Sequence, residues 1–528
     1  MIISPTFVPV KEVSSQQTKP VARLARKRRV RRKPKAETPP PGPSPHVVLV
    51  SPEIAPFAKT GGLGDMIAAL SEALERLGLR VSLVMPAYRS VLRGDFPLQD
   101  TGVYFTVPLS DRMVRGNLLK TNTGGAITVY FVRADQYFDR DYLYGTPEGD
   151  YLDNVERFVF FSRAVLEVLK RDPPEILHAH DWQSAPCIVF LKAQPGLYPQ
   201  LSTVKTVLTV HNLGYQGLFR YLDWHLLNLD WSFYTPSYLE FYGKINFLKG
   251  GLVFADAITT VSPTYAEEIK TAEHGFGLEG VFLERASSLV GIPNGADYEV
   301  WNPQKDHLIA KTYDLDNLLG KRVCKVDLQR AFKLPERPDV PLIGMVSRLT
   351  LQKGLDLLEK VLDGLFSRDI QFVLLGTGDK RYQDFLAQLA LQHPTKCGVR
   401  IAFDELLARK IISGADMFLV PSRYEPGGLT PIYSLKYGTI PIVRATGGLR
   451  ETIQEFNPKT GEGNGFVFTL YESGELLEAM SRALTLFGDR EKWAILMKNA
   501  MAANFSWERS ARAYLDLYQK LLATKSPL

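Results

Sequence analysis

Two stretches far apart in the chain carry residues suited to gripping one anion: Lys59-Thr60-Gly61-Gly62-Leu63-Gly64-Asp65 and Glu425-Pro426-Gly427-Gly428-Leu429-Thr430. Glycines without Cβ let backbone N–H groups approach a ligand closely. A helix beginning just after such a pair adds the positive end of its dipole. Lys59 contributes a full charge beside Gly61 and Gly62. A third stretch, Ser347-Arg348-Leu349-Thr350-Leu351-Gln352-Lys353-Gly354, can aim Arg348 and Lys353 at one diphosphate from a short loop. Two such cations stabilise a departing nucleoside diphosphate, and contacts to developing charge are each worth about 10²–10³ in rate. Glu425, ahead of Gly427, Gly428, Leu429 and Thr430, can accept two sugar hydroxyls while backbone donors face the ligand. Each stretch also has a plain structural reading, as a turn, a surface ion pair or a dipole partner. The lack of Gly-x-Gly-x-x-Gly spacing speaks against a dinucleotide site.

His178, His180, Asp181 and His211 sit at strand ends, but their spacing lacks a paired helical or Cys-rich ligand set. Asp139-Arg140-Asp141 and Asp314-Leu315-Asp316 match the D-x-D of metal-dependent glycosyltransferases only trivially. No metal is expected.

The elements that must hold these groups follow from hydrophobic period. Val47-Val48-Leu49-Val50 is a fully apolar run suited to a buried parallel strand. Met66, Ile67, Leu70, Ala73, Leu74 and Leu77 then recur at helical spacing, Gly78 ends the helix, and Val81 to Met85 forms the next strand. Further strands are expected to end near His180, His211, Ser262 and Asn294. A second series begins at Leu342 to Val346 and continues through Phe372 to Leu375, Met417 to Val420 and Ile440 to Val443. Thr446-Gly447-Gly448-Leu449 echoes the first Gly-Gly loop. The fold class is α/β, with two doubly wound units whose ligand-capable residues cluster at the carboxyl ends of strands, where open α/β sheets bind ligands. The expected units are an arm over residues 1–45, a first domain over 46–302 and a charged linker over 303–338. A second domain follows over 339–505, with a terminal helical segment over 506–528.

The length of 528 residues, 45% hydrophobic and 23% charged, allows two or three domains. Residues 1–45 hold eleven Lys/Arg against Glu12 and Glu37, a net +9, which leaves the rest of the chain near −3. The overall +6 is therefore no argument for a nucleic-acid-binding fold. The Pro-rich, aromatic-poor arm reads as a solvated, disordered segment, with organelle targeting or contact with nucleic acid, another polyanion or a membrane surface as alternatives. Cys187, Cys324 and Cys397 are isolated and build no disulfide framework, which fits a reducing, cytoplasmic compartment, or a plastid if the arm is a transit peptide. No run of about 18 apolar residues is present, so no membrane span is expected.

The chain resembles the bacterial glycogen synthase and plant starch synthase family of retaining glucosyltransferases. The resemblance runs from His46 to about Leu521. It is carried by Lys59 to Asp65, His180-Asp181-Trp182, Thr209 to Gly217, Asn246 to Gly251, Thr260 to Ala266, Asn294-Gly295-Ala296-Asp297, Ser347 to Gly354 and Pro421 to Pro426. It implies a GT-B architecture, two Rossmann-like domains facing a central cleft, with a terminal helix crossing back to the first. It also implies transfer of glucose from ADP-glucose to the non-reducing end of an α-1,4-glucan with retention, and no cofactor.

Position by position, the resemblance implies that Arg348 and Lys353 bind the diphosphate and that Lys59 with Gly61 and Gly62 acts from across the cleft. It further implies that Glu425 binds glucosyl hydroxyls, that His211 lies near the transferred sugar and that Asp153 is an acid on the acceptor side. Phe403 stands where the family often stacks a ring on adenine, and Asn294, Gly427, Gly428, Leu429 and Thr430 complete the substrate-binding set. Family members usually read Glu-Pro-Cys-Gly-Leu-Thr-Gln; here Gly427 replaces the cysteine and Pro431 the glutamine. Both changes bear on the choice between ADP-glucose and UDP-glucose. The rival readings are a GT-B transferase with another donor or a small acceptor, and a catalytically silent glucan-binding homologue.

Overall fold

The computed structural model describes residues 44–524 apart from Gly124 and Pro147. The expected arm lies outside them except for its last two residues. Two hydrophobic cores organise the described chain, one around each sheet.

The first sheet has nine strands, in spatial order Leu289–Gly291, Ala257–Thr260, Lys205–Val210, Ile176–His180, His46–Val50, Arg80–Pro86, Thr128–Arg133, Arg112–Asn122 and Gln99–Leu109. The first seven run parallel and the last two form an antiparallel hairpin on the edge. His46–Val50 and Ile176–His180 are buried along their whole length, as central parallel strands covered on both faces must be. The helix Gly62–Arg76 buries Met66, Ile67, Leu70, Ala73 and Leu74 along one stripe. Gly78 follows it at φ +88°, a left-handed conformation that a side chain would disfavour.

The second sheet has six parallel strands, in the order Cys397–Ile401, Gln371–Gly376, Leu342–Val346, Met417–Val420, Ile440–Arg444 and Phe466–Phe468. Strand order reverses direction between His46–Val50 and Ile176–His180 in the first sheet, and between Leu342–Val346 and Met417–Val420 in the second. Crevices for ligands open at the carboxyl ends of such switch points. The segments leaving these four strands carry Glu53, Asp181, Arg348 and Glu425.

The terminal helix Trp507–Ala523 belongs to the first core: Trp507, Ala511, Tyr514 and Tyr518 are buried there. The Tyr518 hydroxyl lies 2.7 Å from Nδ1 of His178, in the middle of the first sheet.

The segment expected as a linker over 303–338 is instead part of the second lobe. Its helix Leu319–Ala331 places Cys324 and Leu328 in the second core. Two of the lysines that made it read as a connector are themselves buried. Lys321 donates to the carbonyls of Ser413, Ala415 and Tyr437 and to the Thr439 hydroxyl. Lys325 donates to the carbonyls of Pro338 and Val340 and to Asp416 at 2.6 Å. Buried ammonium groups need such complete satisfaction, and composition cannot reveal it.

Candidate active site

A cavity of about 1020 Å³ opens between the two sheets and takes its walls from both. Gly61, Gly62, His211 and Asn294 of the first lobe line it, as do Arg348, Lys353, Glu425, Gly427, Gly428, Leu429 and Thr430 of the second. The two glycine-bearing loops approach each other across it: a Cβ built on Gly62 would stand 3.3 Å from Cδ1 of Leu429. Both helices that start at these loops, Gly62–Arg76 and Leu429–Lys436, begin without a side-chain cap. Their first N–H groups are therefore left for a ligand.

Lys353 Nζ donates to Oε2 of Glu425 at 2.6 Å, and the Ser422 hydroxyl donates to the same oxygen at 2.7 Å. Arg348 hydrogen-bonds the Tyr215 hydroxyl from across the cleft, with its guanidinium 5.4 Å from that ring's centroid. Gln352 Oε1 accepts from Asn212 Nδ2 at 3.4 Å, another contact between lobes.

On the first-lobe wall, Nε2 of His211 lies 3.1 Å from Nδ1 of His180. Burial holds the imidazole of His211 neutral, with its pKa lowered to about 3. Asp181 accepts the His211 N–H at 2.7 Å, yet its carboxyl is raised to about 7. Burial is the main cause; the N–H groups of His211 and Asn212 oppose it, and the charge of Glu53 adds to it. Asn294 is 9% exposed, and its Oδ1 is buried without a protein donor. An acceptor left so at a cavity wall is suited to a ligand hydroxyl.

Three expected site residues do not themselves line the cavity. Lys59 is not on the cavity wall: its ammonium pairs with Asp65 at 3.1 Å and with Glu405 of the second lobe at 3.3 Å. Burial works against its charge, but these two carboxylates outweigh it and raise the pKa. Asp153 precedes the helix Asn154–Leu169 and is forked onto Arg140 at 2.8 and 2.5 Å. Phe403 lies beyond the end of the strand Cys397–Ile401, outside the cavity lining, and is 72% exposed.

Glu53, Tyr144, Asp181 and Tyr215 also line the cavity, beyond the substrate-binding residues that the sequence implies. The sequence marks Asp181 as a ligand-capable strand-end residue and as part of the His180-Asp181-Trp182 resemblance, without a substrate role. Its place immediately after a strand at the switch point was the usable signal. Among the described residues, no cluster of three or more His, Cys, Asp or Glu side chains could hold a metal ion. Three of the four D-x-D acids are otherwise engaged: Asp139 and Asp141 pair with Arg89, and Asp314 accepts backbone N–H groups of Asp316 and Asn317. Among the described residues, no helix is long and apolar enough to cross a membrane.

Comparison with known proteins gives the same architecture. A starch synthase catalytic domain family model matches residues 46–284, and a glycosyl transferases group 1 model matches residues 328–499. The glycogen synthase of Koribacter versatilis is 47% identical over 484 residues, covering 92% of this chain and 99% of the relative. That of Syntrophotalea carbinolica is 45% identical, covering 90% and 98%. The solved catalytic domain of starch synthase IV from Arabidopsis thaliana, bound to ADP and acarbose, superposes with a TM-score of 0.84 at 30% identity, covering 91% of this chain and all of that one. A sucrose-phosphate synthase from Thermosynechococcus elongatus shares the fold at 19% identity, with a TM-score of 0.57 over 91% of this chain and all of that one. With two α/β lobes around one cleft and relatives matched over nearly their full length, this chain has the GT-B fold, is a hexosyltransferase, and belongs to the glycogen synthase and starch synthase family.

Proposed function

We propose that the protein transfers glucose from ADP-glucose to the non-reducing end of an α-1,4-glucan with retention of configuration. The observation that carries this reading is the convergence of Arg348, Lys353 and two uncapped helix starts on one cavity that also holds Glu425. The starch synthase IV neighbour, solved with ADP and acarbose, supports the same pair of ligands here.

In this reading the diphosphate lies against Arg348, Lys353 and the N–H groups of the two glycine loops. Glucosyl hydroxyls meet Glu425, His211 and Asn294. The glucan 4-hydroxyl attacks the anomeric carbon from the face the diphosphate leaves, the C1–O bond to phosphate breaks, and the departing phosphate oxygen takes the acceptor proton. Fixed cations and helix starts meet the leaving charge, so the reaction needs no cofactor. Contact between the lobes keeps water from the donor.

Incubation with glucose-labelled ADP-glucose and glycogen tests the reading. Label is expected in α-1,4 linkage at chain ends, and a chelator is expected to leave the rate unchanged. Label entering only from UDP-glucose, or only into a small sugar, would favour another donor or acceptor. Glucan binding without release of any nucleoside diphosphate would favour a silent homologue.

A further inference from the structure

Glu53 is 4% exposed, and both of its carboxylate oxygens are used. Oε2 accepts the Thr60 N–H at 2.6 Å; Oε1 accepts the Thr60 hydroxyl at 2.7 Å and the Tyr144 hydroxyl at 2.7 Å. An ionised carboxylate is acceptor-only, so three converging donors suit it as no amide could. By holding Thr60 at both N–H and hydroxyl, Glu53 fixes the backbone immediately before Gly61 and Gly62, whose edge faces the cavity.

Tyr144 leads the other way. Its carbonyl accepts from the Tyr151 N–H at 3.0 Å and from Asn154 Nδ2 at 2.8 Å, which ties it to a segment that lines the cavity through Asp150, Tyr151 and Leu152. Leu152 is 98% exposed, so this wall opens to solvent, as a site for a polymer must. The echoing loop of the second lobe is held in a similar way, with Glu268 accepting the Thr446 hydroxyl at 2.9 Å and the Gly447 N–H at 3.0 Å. Only Glu53 adds a tyrosine from a cavity-lining segment.

We infer that Glu53 is a positioning residue that ties Tyr144 and the segment Asp150–Asn154 hydrogen-bonded to it to the diphosphate loop Thr60–Gly62, so that glucan bound against the first strengthens nucleotide bound against the second. This rests on the proposed donor and acceptor. Such coupling is reciprocal, and typical site–site couplings change affinity about 5–150-fold.

Calorimetric titration of the full chain with ADP, with and without saturating maltoheptaose, tests it. Wild type is expected to bind ADP at least about fivefold more tightly with maltoheptaose present, and maltoheptaose more tightly by the same factor with ADP present. Tyr144→Phe removes one hydrogen bond and is expected to abolish the factor in both directions. Glu53→Gln is expected to weaken ADP binding at least about tenfold whether or not maltoheptaose is present. Should Glu53→Gln fail to fold, Thr60→Val, which removes one of the three contacts, is expected to weaken ADP and shrink the factor. A factor of one in wild type, an unchanged factor in Tyr144→Phe, or unaltered ADP affinity in Glu53→Gln, or in Thr60→Val where that variant replaces it, would overturn the inference. ADP that binds while ADP-glucose donates no glucose to any acceptor would overturn the proposed reaction instead.

Discussion

Lys353 Nζ stands 2.6 Å from Oε2 of Glu425, joining a residue expected to bind phosphate to one expected to bind sugar. Their side chains are only 16% and 13% exposed, so neither is left to water when its partner is absent. In the proposed reaction this pair would hold Glu425 for hydroxyl recognition and keep the Lys353 charge close to where the leaving group develops its own.

Lys353→Ala and Glu425→Ala are each expected to lower kcat about 10²–10³-fold with the fold retained. The double variant is expected to lose less than the product of the two, because the groups act as a unit. Steady-state kinetics with far-UV circular dichroism checks this, and unchanged activity in both single variants would remove them from the site.

Gly427 and Gly447 make a contrast in backbone freedom. A Cβ on Gly427 would meet Asn294 Nδ2 at 3.1 Å, a side-chain end that can yield. A Cβ on Gly447, at φ +46°, would meet the Glu425 carbonyl oxygen at 2.1 Å, a backbone atom that cannot yield cheaply. Gly427→Ala is therefore expected to cost less than about 1 kcal/mol, and Gly447→Ala more than about 2 kcal/mol, in urea unfolding. Because Asn294 must move, Gly427→Ala is also expected to raise the donor KM.

His178 is fully buried between Tyr518 and Thr209, and burial lowers its pKa to about 3, with a smaller contribution from His211. A pKa lower in the folded than in the unfolded state gives stability that is present above about pH 6.5 and lost as pH falls toward 3, at about 1.4 kcal/mol per pH unit. Asp181 has the opposite sign: its raised carboxyl favours the fold at low pH, and that contribution fades as pH rises toward 7. Urea unfolding between pH 6 and 4 is expected to show a slope smaller by about 1.4 kcal/mol per unit in His178→Gln than in wild type. Equal slopes would show that His178 takes up no extra proton on unfolding.

The two series of buried strands and the loops after them were legible because central parallel strands are continuous apolar runs and glycine pairs mark close backbone approach. Arg348, Lys353, Glu425 and His211 could be chosen because each follows such a strand. Pairing across the sequence could not be read. Lys59 is engaged by Glu405, Asp153 by Arg140, and Glu53 meets Tyr144 only after the chain has crossed the sheet. Lys321 and Lys325 read as solvated charge because the carbonyls that satisfy them come from the distant segments 338–340 and 413–439.

A crystal structure of the protein grown with ADP would show directly whether both lobes grip one diphosphate. The diphosphate is expected between the two glycine loops, within hydrogen-bond reach of Arg348, Lys353 and the Gly61–Gly62 backbone. A diphosphate bound away from Arg348 and Lys353, or held by one lobe alone, would contradict that expectation.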